Sequence, residues 1–546
     1  MALDEILDLP KAFRRVQQDK NDDTWPDIVG YRDYSRSLNE NLQNLRVRLA
    51  RPNSYVTNLP LGIDLPKRGF TLRPGLVPLI DDRLAYQAAA DYLAPHFIAE
   101  PCVYSNRLTN DPDSSRMFVP GVELWLEFQA SIERLCVEYP YVVETDLTAY
   151  FEHINHDLLL HRLDDLFQDR IDRASLREIK QLLQRLWRGW NTSNHRFGIP
   201  QVNNASSFFA NLYLDELDKW MLRQNYVYLR YVDDMRIFTR DEPSARQALS
   251  NLIPKLREMG LYVGSAKTAI KPTRPVVEEL VEGRRRMDAI EAELAFRTPQ
   301  HLETAAAMIE AFFHDIVDDP AQFNDRYFRY CVNRFKRLRV NNLGMNSHGR
   351  VAEESLRRLI SMPYSSDIFV DYLSLFPDDE MVQRMVVEFL ESPYNIYPWQ
   401  EMLLLELLIR SNMLPIHSNR IMNIARAIAR DSHKHPACRA KAFVLWGKNG
   451  DYADRREIRA LYFDEAREDI RRAIVFAIQE MQTGERNNFY ENIAGQSNSV
   501  RLTTEYVLSL QGPLYHHYNP PAGFDIVQEY EDSDDIDDLD SEDFLY

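Results

Sequence analysis

Three carboxylates in this sequence fall where chemistry could be done. Asp146 closes the run YPYVVETD, and Asp233-Asp234 interrupts YVYLRYVDDMRIFTR; both runs carry the β-branched and aromatic residues of buried strands. A lone aspartate most often caps a helix, and a lone Asp-Asp pair most often sits in a solvated turn. Here apolar strand sequence surrounds all three, and charge kept in such surroundings needs a counter-charge. Carboxylates from two strand ends that meet in a fold suit two divalent cations about 3.5–4 Å apart, the arrangement that serves phosphoryl transfer. Hard oxygen ligands favour Mg2+, with Mn2+ as a substitute.

Two converging strand ends require a sheet, and the neighbouring sequence supplies helices to cover it. Residues 1–50 follow a helical period; Tyr55 to Pro78 is rich in Pro and Gly and reads as extended. DDRLAYQAAADYLAPHF then opens on acidic residues as a helix should, with Arg83 in its first turns, and INHDLLLHRLDDLF continues from the Asp146 strand as another helix. From about Thr298 the character changes. Helical segments such as HLETAAAMIEAFFHDIV, RYFRYCVNRFKRLRV and WQEMLLLELLIRS follow one another across short breaks, which predicts either a HEAT-like α-solenoid or an irregular helical bundle.

Bulk properties set the class. A chain of 546 residues exceeds one ordinary core, and 45% hydrophobic with 27% charged residues is a globular composition. The four cysteines, Cys102, Cys136, Cys331 and Cys438, form no C-x-x-C pair, so neither a disulfide framework nor a zinc site is expected. With no secretory or membrane-spanning pattern, the expected location is the cytoplasm. The formal charge of −18 argues against a nucleic-acid partner, yet eleven of the carboxylates lie in residues 525–546, which hold no Lys or Arg. Basic clusters remain at residues 67–73, at Arg284-Arg285-Arg286, and at RFKRLR from Arg334 to Arg339. Screening limits what a phosphate backbone feels to about 10 Å, so such local patches suffice.

YVDDM matches the Tyr-x-Asp-Asp signature of reverse transcriptases, and ETDLTAYFEHINHDLL resembles the preceding palm motif of the bacterial enzymes. The resemblance covers about residues 10–300 and implies an α+β right-hand polymerase (palm, fingers, small thumb). The expected domains are therefore 1–300 for fingers, palm and thumb, 301–515 for the helical region, and 516–546 for a disordered acidic tail. It implies Asp146 and Asp233 as principal metal ligands, Asp234 in support and the Leu147 carbonyl near the two Mg2+ ions. Phe151 matches the steric gate that selects deoxynucleotides. RFGIPQVNNASSFFANLYLDELD resembles the G-x-P-Q-G segment and its following helix, which sets Gln201 beside template and nucleotide; Val202 stands where the family has a second glycine. KRGFTLRPGLVPLIDDRLAYQAA resembles the triphosphate-gripping fingers, with Arg73 and Arg83 as cationic clamps assisted by Lys67 or Arg68. Arg83 as a surface helix residue is the alternative. LYVGSAKTAI resembles the glycine-bearing motif that closes the palm and carries Lys267 toward the nucleotide.

The added helical half resembles abortive-infection and other defence-associated reverse transcriptases. Membership implies antiphage defence, dNTP substrates, a DNA product made by protein-primed or untemplated synthesis, and a homo-oligomer. The alternatives are an RNA-templated, retron-like enzyme with a partner non-coding RNA, and a silent nucleic-acid-binding scaffold. Arg430 and His435 also fit the R-x4-H form of HEPN ribonucleases, or His435 simply caps a helix. The acidic tail reads as a solvating tail, as a nucleic-acid mimic, or as a carrier of a priming hydroxyl on Tyr530 or Tyr546.

Overall fold

A computed structural model describes residues 2–19, 27–51, 55–191, 196–201, 203–296, 298–319, 321, 323–344 and 346–517. Val202, Arg284 as a side chain, and the tail from residue 518 with Tyr530 and Tyr546 lie outside the described residues.

The Pro- and Gly-rich stretch is an antiparallel hairpin, β1 (Leu61–Pro66) and β2 (Leu72–Val77), paired from Leu61↔Val77 to Pro66↔Leu72. Its tip turns through Gly69 at φ 72° and Phe70 at φ 61°. The central sheet follows from the two strand runs: β3 (Tyr141–Thr145), β4 (Val227–Tyr231), β5 (Asp234–Thr239) and β6 (Ala269–Pro272), in the order β4-β5-β3-β6. Its pairings are all antiparallel. Side chains alternate between the faces of a strand, so each strand feeds two cores. Val143, Tyr228, Met235 and Ile237 face one core, built with the N-terminal helices and the helices Ile80–Leu93 and Asn204–Arg223. Val142, Leu229, Tyr231 and Phe238 face another, under the helix Gly121–Glu138.

After β6 the chain is helical. The helices Asp325–Val340, Ser366–Leu373, Pro398–Arg410, Pro436–Asn449, Glu468–Ala477 and Asn498–Ser509 pack each against the next in that order. His348–Arg358, Glu380–Leu390 and Pro415–Arg430 form a second row. This helical core also takes in Val29, Ile63 and Val77, so the apolar face of the hairpin is buried with the C-terminal half of the chain. The far end returns to the start: Arg472 pairs with Asp27 at 2.6 Å and Asp33 at 2.8 Å, and Thr503 donates to Asp33 at 2.7 Å. All four cysteines are free and buried. Among the described residues no helix is long and apolar enough to cross a membrane.

Candidate active site

The register of the sheet decides what the aspartates can do together. β3 pairs with β5 so that Glu144 faces Arg236 and Thr145 faces Met235. One step further along that ladder sets Asp146 opposite Asp234, where neighbouring antiparallel strands run roughly 5 Å apart. Both side chains are buried, and each keeps one carboxylate oxygen without a hydrogen-bond partner, Oδ1 of Asp146 and Oδ2 of Asp234. Burial pushes the Asp234 carboxyl up to about 6; Glu144 and Asp146 push the same way, and Arg236 opposes them. Asp233 is half-buried in the two-residue turn joining β4 to β5. It lies close enough to the Tyr150 phenol to add to the effect of burial, which holds that hydroxyl protonated far above its ordinary range.

That turn is held in a conformation its residues resist. Val232 has φ 52°, unusual for a β-branched residue. Its N–H donates to Ser105 Oγ at 2.7 Å and its carbonyl accepts from Arg230 at 2.8 Å. Arg230 is itself buried, bonded to Asp218 at 2.6 and 2.9 Å and to Asn211 at 3.1 Å. Asn211 in turn holds the carbonyls of Ser105 and Asn106. Ser105 lies outside the segments that marked the site, and Asn211, Asp218 and Arg230 lie within them without having been singled out. An arginine inside apolar strand sequence, three residues before the acidic pair, was the signal the sequence offered.

The segment 261–268 closes against the strand end. Gly264 N–H donates to the Asp146 carbonyl at 2.9 Å, Thr148 N–H to the Tyr262 carbonyl at 2.9 Å, and Leu147 bridges to Val263. A Cβ on residue 264 would run into Asp146 Oδ1, so any residue but glycine there must displace the carboxylate or the backbone. Lys267 reaches the same aspartate, Nζ to Oδ2 at 3.0 Å. Gly198, at φ 88°, lets the Gly-Ile-Pro-Gln segment pass beside the helix after Asp146: its N–H donates to the Ile154 carbonyl at 2.9 Å, and Ile199 donates to the Phe151 carbonyl at 3.1 Å. Phe151 and Gln201 are both half-buried along this path.

The fingers residues are placed differently from one another. Arg73 lies on β2 opposite Leu65. Lys67 borders a cavity of about 350 Å3 shared with Arg68, Phe70, Phe323 and Tyr364, so the tip of the hairpin faces the helical half. Arg68 pairs there with Asp325 at 3.3 Å. Arg83 is a buried residue rather than a surface one: it pairs with Asp19 at 3.2 Å and donates to Tyr31, while Asp19 also accepts from Asn204 N–H at 3.1 Å. Arg430 pairs with Glu457 and stacks on Trp446, and His435 caps the helix Pro436–Asn449.

Among the described residues no three His, Cys, Asp or Glu side chains are drawn together as a metal cage. The donor chemistry nevertheless suits a hard cation, because two buried carboxylates on neighbouring strand ends each keep an unsatisfied oxygen. Residues 65–280 match the family described as "Reverse transcriptase (RNA-dependent DNA polymerase)". The segment is a reverse transcriptase domain. The matched family is one of RNA-dependent DNA polymerases. The aspartate strand ends, the Gly264 crossing and Lys267 all fall inside it. No curated protein matches the sequence. Among solved structures the chain is similar to telomerase from Candida albicans in complex with a TWJ fragment of telomeric RNA, at 11% identity and a TM-score of 0.29. That match covers 62% of this chain and 65% of the other, just under two thirds of its length. It is also similar to apo telomerase from Candida tropicalis, at 10% identity and a TM-score of 0.31, covering 86% and 74%.

Proposed function

We propose that this reverse transcriptase domain extends DNA from dNTPs with two Mg2+ ions held by Asp146 and Asp233, with Asp234 in support and the Leu147 carbonyl nearby. The observation that carries the proposal is the strand register: it sets Asp146 opposite Asp234 with an unsatisfied oxygen on each. The bound ions would acidify the attacking hydroxyl and neutralise charge on the triphosphate. The chain's own part is positional. Lys267 brings a positive charge to the Asp146 carboxylate, Phe151 closes the sugar side against a 2′-hydroxyl, and Gln201 borders the template. Arg73 and Lys67 present cations from the fingers, and Arg83, locked on Asp19, fixes the helix behind them.

We assign residues 1–300 to fingers, palm and thumb, 301–515 to a HEAT-like repeat domain, and 516–546 to the acidic tail. The two rows of helices support the repeat reading, since each helix buries its apolar face only by stacking on neighbours. This helical half would shape a product channel or an oligomer interface in a cytoplasmic, defence-associated bacterial enzyme whose synthesis is protein-primed or untemplated. Incubating the purified chain with dNTPs and Mg2+, then sequencing the product, tests the proposal. Extended DNA from the wild type, with a loss on the order of 10²-fold or more in Asp233→Ala and Asp234→Ala, supports it. Undiminished synthesis in those variants removes the site. A defined RNA recovered with its complementary DNA would instead mark a retron-like, RNA-templated enzyme.

A further inference from the structure

Behind the aspartate pair lies a charged layer. On the sheet face carrying Asp146 and Asp234, the next cross-strand pair is Glu144↔Arg236, and the one after is Val142↔Phe238, already in the apolar core. Arg236 is buried and donates to Asp234 Oδ1. On its other side its Nε lies 3.6 Å from Glu144 Oε1, and Glu144 Oε2 is held by Lys271 Nζ at 2.7 Å from β6. The row therefore runs Asp234, Arg236, Glu144, Lys271 across three strands, alternating in sign. The guanidinium satisfies one oxygen of Asp234 and leaves Oδ2 unpartnered. The row is buried at Asp234 and Arg236 and opens to solvent at Lys271; a buried ion pair of this kind adds little net stability compared with apolar residues of the same volume, so the role we assign it is orientation. Outer partners of this sort hold ligating carboxylates in place and are felt in metal affinity.

We propose that Arg236, buttressed by Glu144 and Lys271, is a positioning residue: it fixes the Asp234 carboxylate so that Oδ2 faces the divalent cation beside Asp146. This deepens the polymerase reading and rests on it. A planar fork is needed to hold Asp234 on one side and reach Glu144 on the other, a task a lysine performs only in part. The competing possibility is that Arg236 is merely a counter-charge that repels metal. The two predict opposite signs. If Arg236 orients the ligand, removing it weakens cation binding; if it only repels, removing it tightens binding.

The test measures metal response apart from catalysis. The full-length protein is titrated with Mg2+, and separately with Mn2+, while its thermal unfolding midpoint and the electron paramagnetic resonance signal of free Mn2+ are followed. For Arg236→Gln the cation concentration at half-effect is expected to rise at least fivefold, with Arg236→Lys between it and the wild type. Glu144→Gln, a milder change that keeps the fold if Arg236→Gln does not, is expected to raise it about two- to fivefold. A half-effect concentration that is unchanged or lower in Glu144→Gln and in whichever Arg236 variant folds overturns the proposal while leaving the polymerase reading intact. A wild type with neither a metal response nor nucleotide incorporation overturns that reading, and this inference with it.

Discussion

At the scale of single residues, the site depends on atoms that have no room to move. Gly264 is the sharpest case, because its missing Cβ is where Asp146 Oδ1 lies and its N–H holds the Asp146 carbonyl at 2.9 Å. Gly264→Ala must push either the carboxylate or the backbone aside. A shift of about 1 Å at a reacting group costs on the order of 10²-fold in rate, so nucleotide incorporation should fall by that much while the circular dichroism spectrum remains that of the wild type. Incorporation within threefold of wild type would mean that the crossing is looser than the geometry implies. Val232 makes the complementary point. A left-handed valine persists because Ser105 and Arg230 grip it from both sides, and Arg230 is fixed by Asp218 and Asn211. The strain at the aspartate turn is thus maintained by residues that themselves do no chemistry.

At the scale of elements, the hairpin β1–β2 is tied to the helical half at its edge and at its tip. His435 makes the edge contact: Nε2–H donates to the Gly62 carbonyl at 2.8 Å, while Nδ1 accepts from Ala437 N–H at 3.2 Å. The bond from Ala437 needs the neutral ring, since a proton on Nδ1 would meet the Ala437 N–H, whereas Nε2–H can donate to Gly62 in either state. Burial lowers the His435 pKa below its ordinary 6.5; Arg467 pushes the same way, and the Gly62 carbonyl, Asp469 and Asp64 oppose. A base whose folded pKa is depressed is protonated first in the unfolded chain, so its contribution is complete above about 6.5 and declines as pH falls through that value. The thermal unfolding midpoint of the wild type should therefore drop between pH 7.5 and 5.5. His435→Asn, which keeps a capping side chain, should show a shallower drop over the same interval. Identical slopes in the two proteins would place the pH dependence elsewhere.

At the scale of the whole molecule, the chain is closed on itself by a buried ionic triad. Arg472, near the C-terminal end of the helical rows, is bonded to Asp27 and Asp33 near the N-terminus, with Thr503 completing the group. Removing one member of such a group strands the others, at a cost of about 3–5 kcal/mol. Arg472→Met should destabilise by that order in chemical denaturation. Adding Asp27→Asn and Asp33→Asn to the same protein should recover most of the loss, because the penalty comes from uncompensated carboxylates rather than from lost attraction. A triple variant as unstable as Arg472→Met would refute that account.

Sequence alone determined the strands around Asp146 and the Asp233-Asp234 turn, the helix that opens near Arg83, the glycines at 198 and 264, and the change to repeated helices near Thr298. All but one are local matters: side-chain alternation, helical period and the positive φ of Gly198 act over a few residues and can be read in order, whereas the reason for Gly264 is the close approach of Asp146. Only the tertiary structure decided that the hairpin's apolar face, Ile63 and Val77, is buried with the helical half, that Arg83 is spent on Asp19, and that Arg236 stands behind Asp234. Those pairings join residues that are tens to hundreds of positions apart, or depend on strand register. Burial makes partners obligatory without naming them, so the choice falls to the packing of the whole chain.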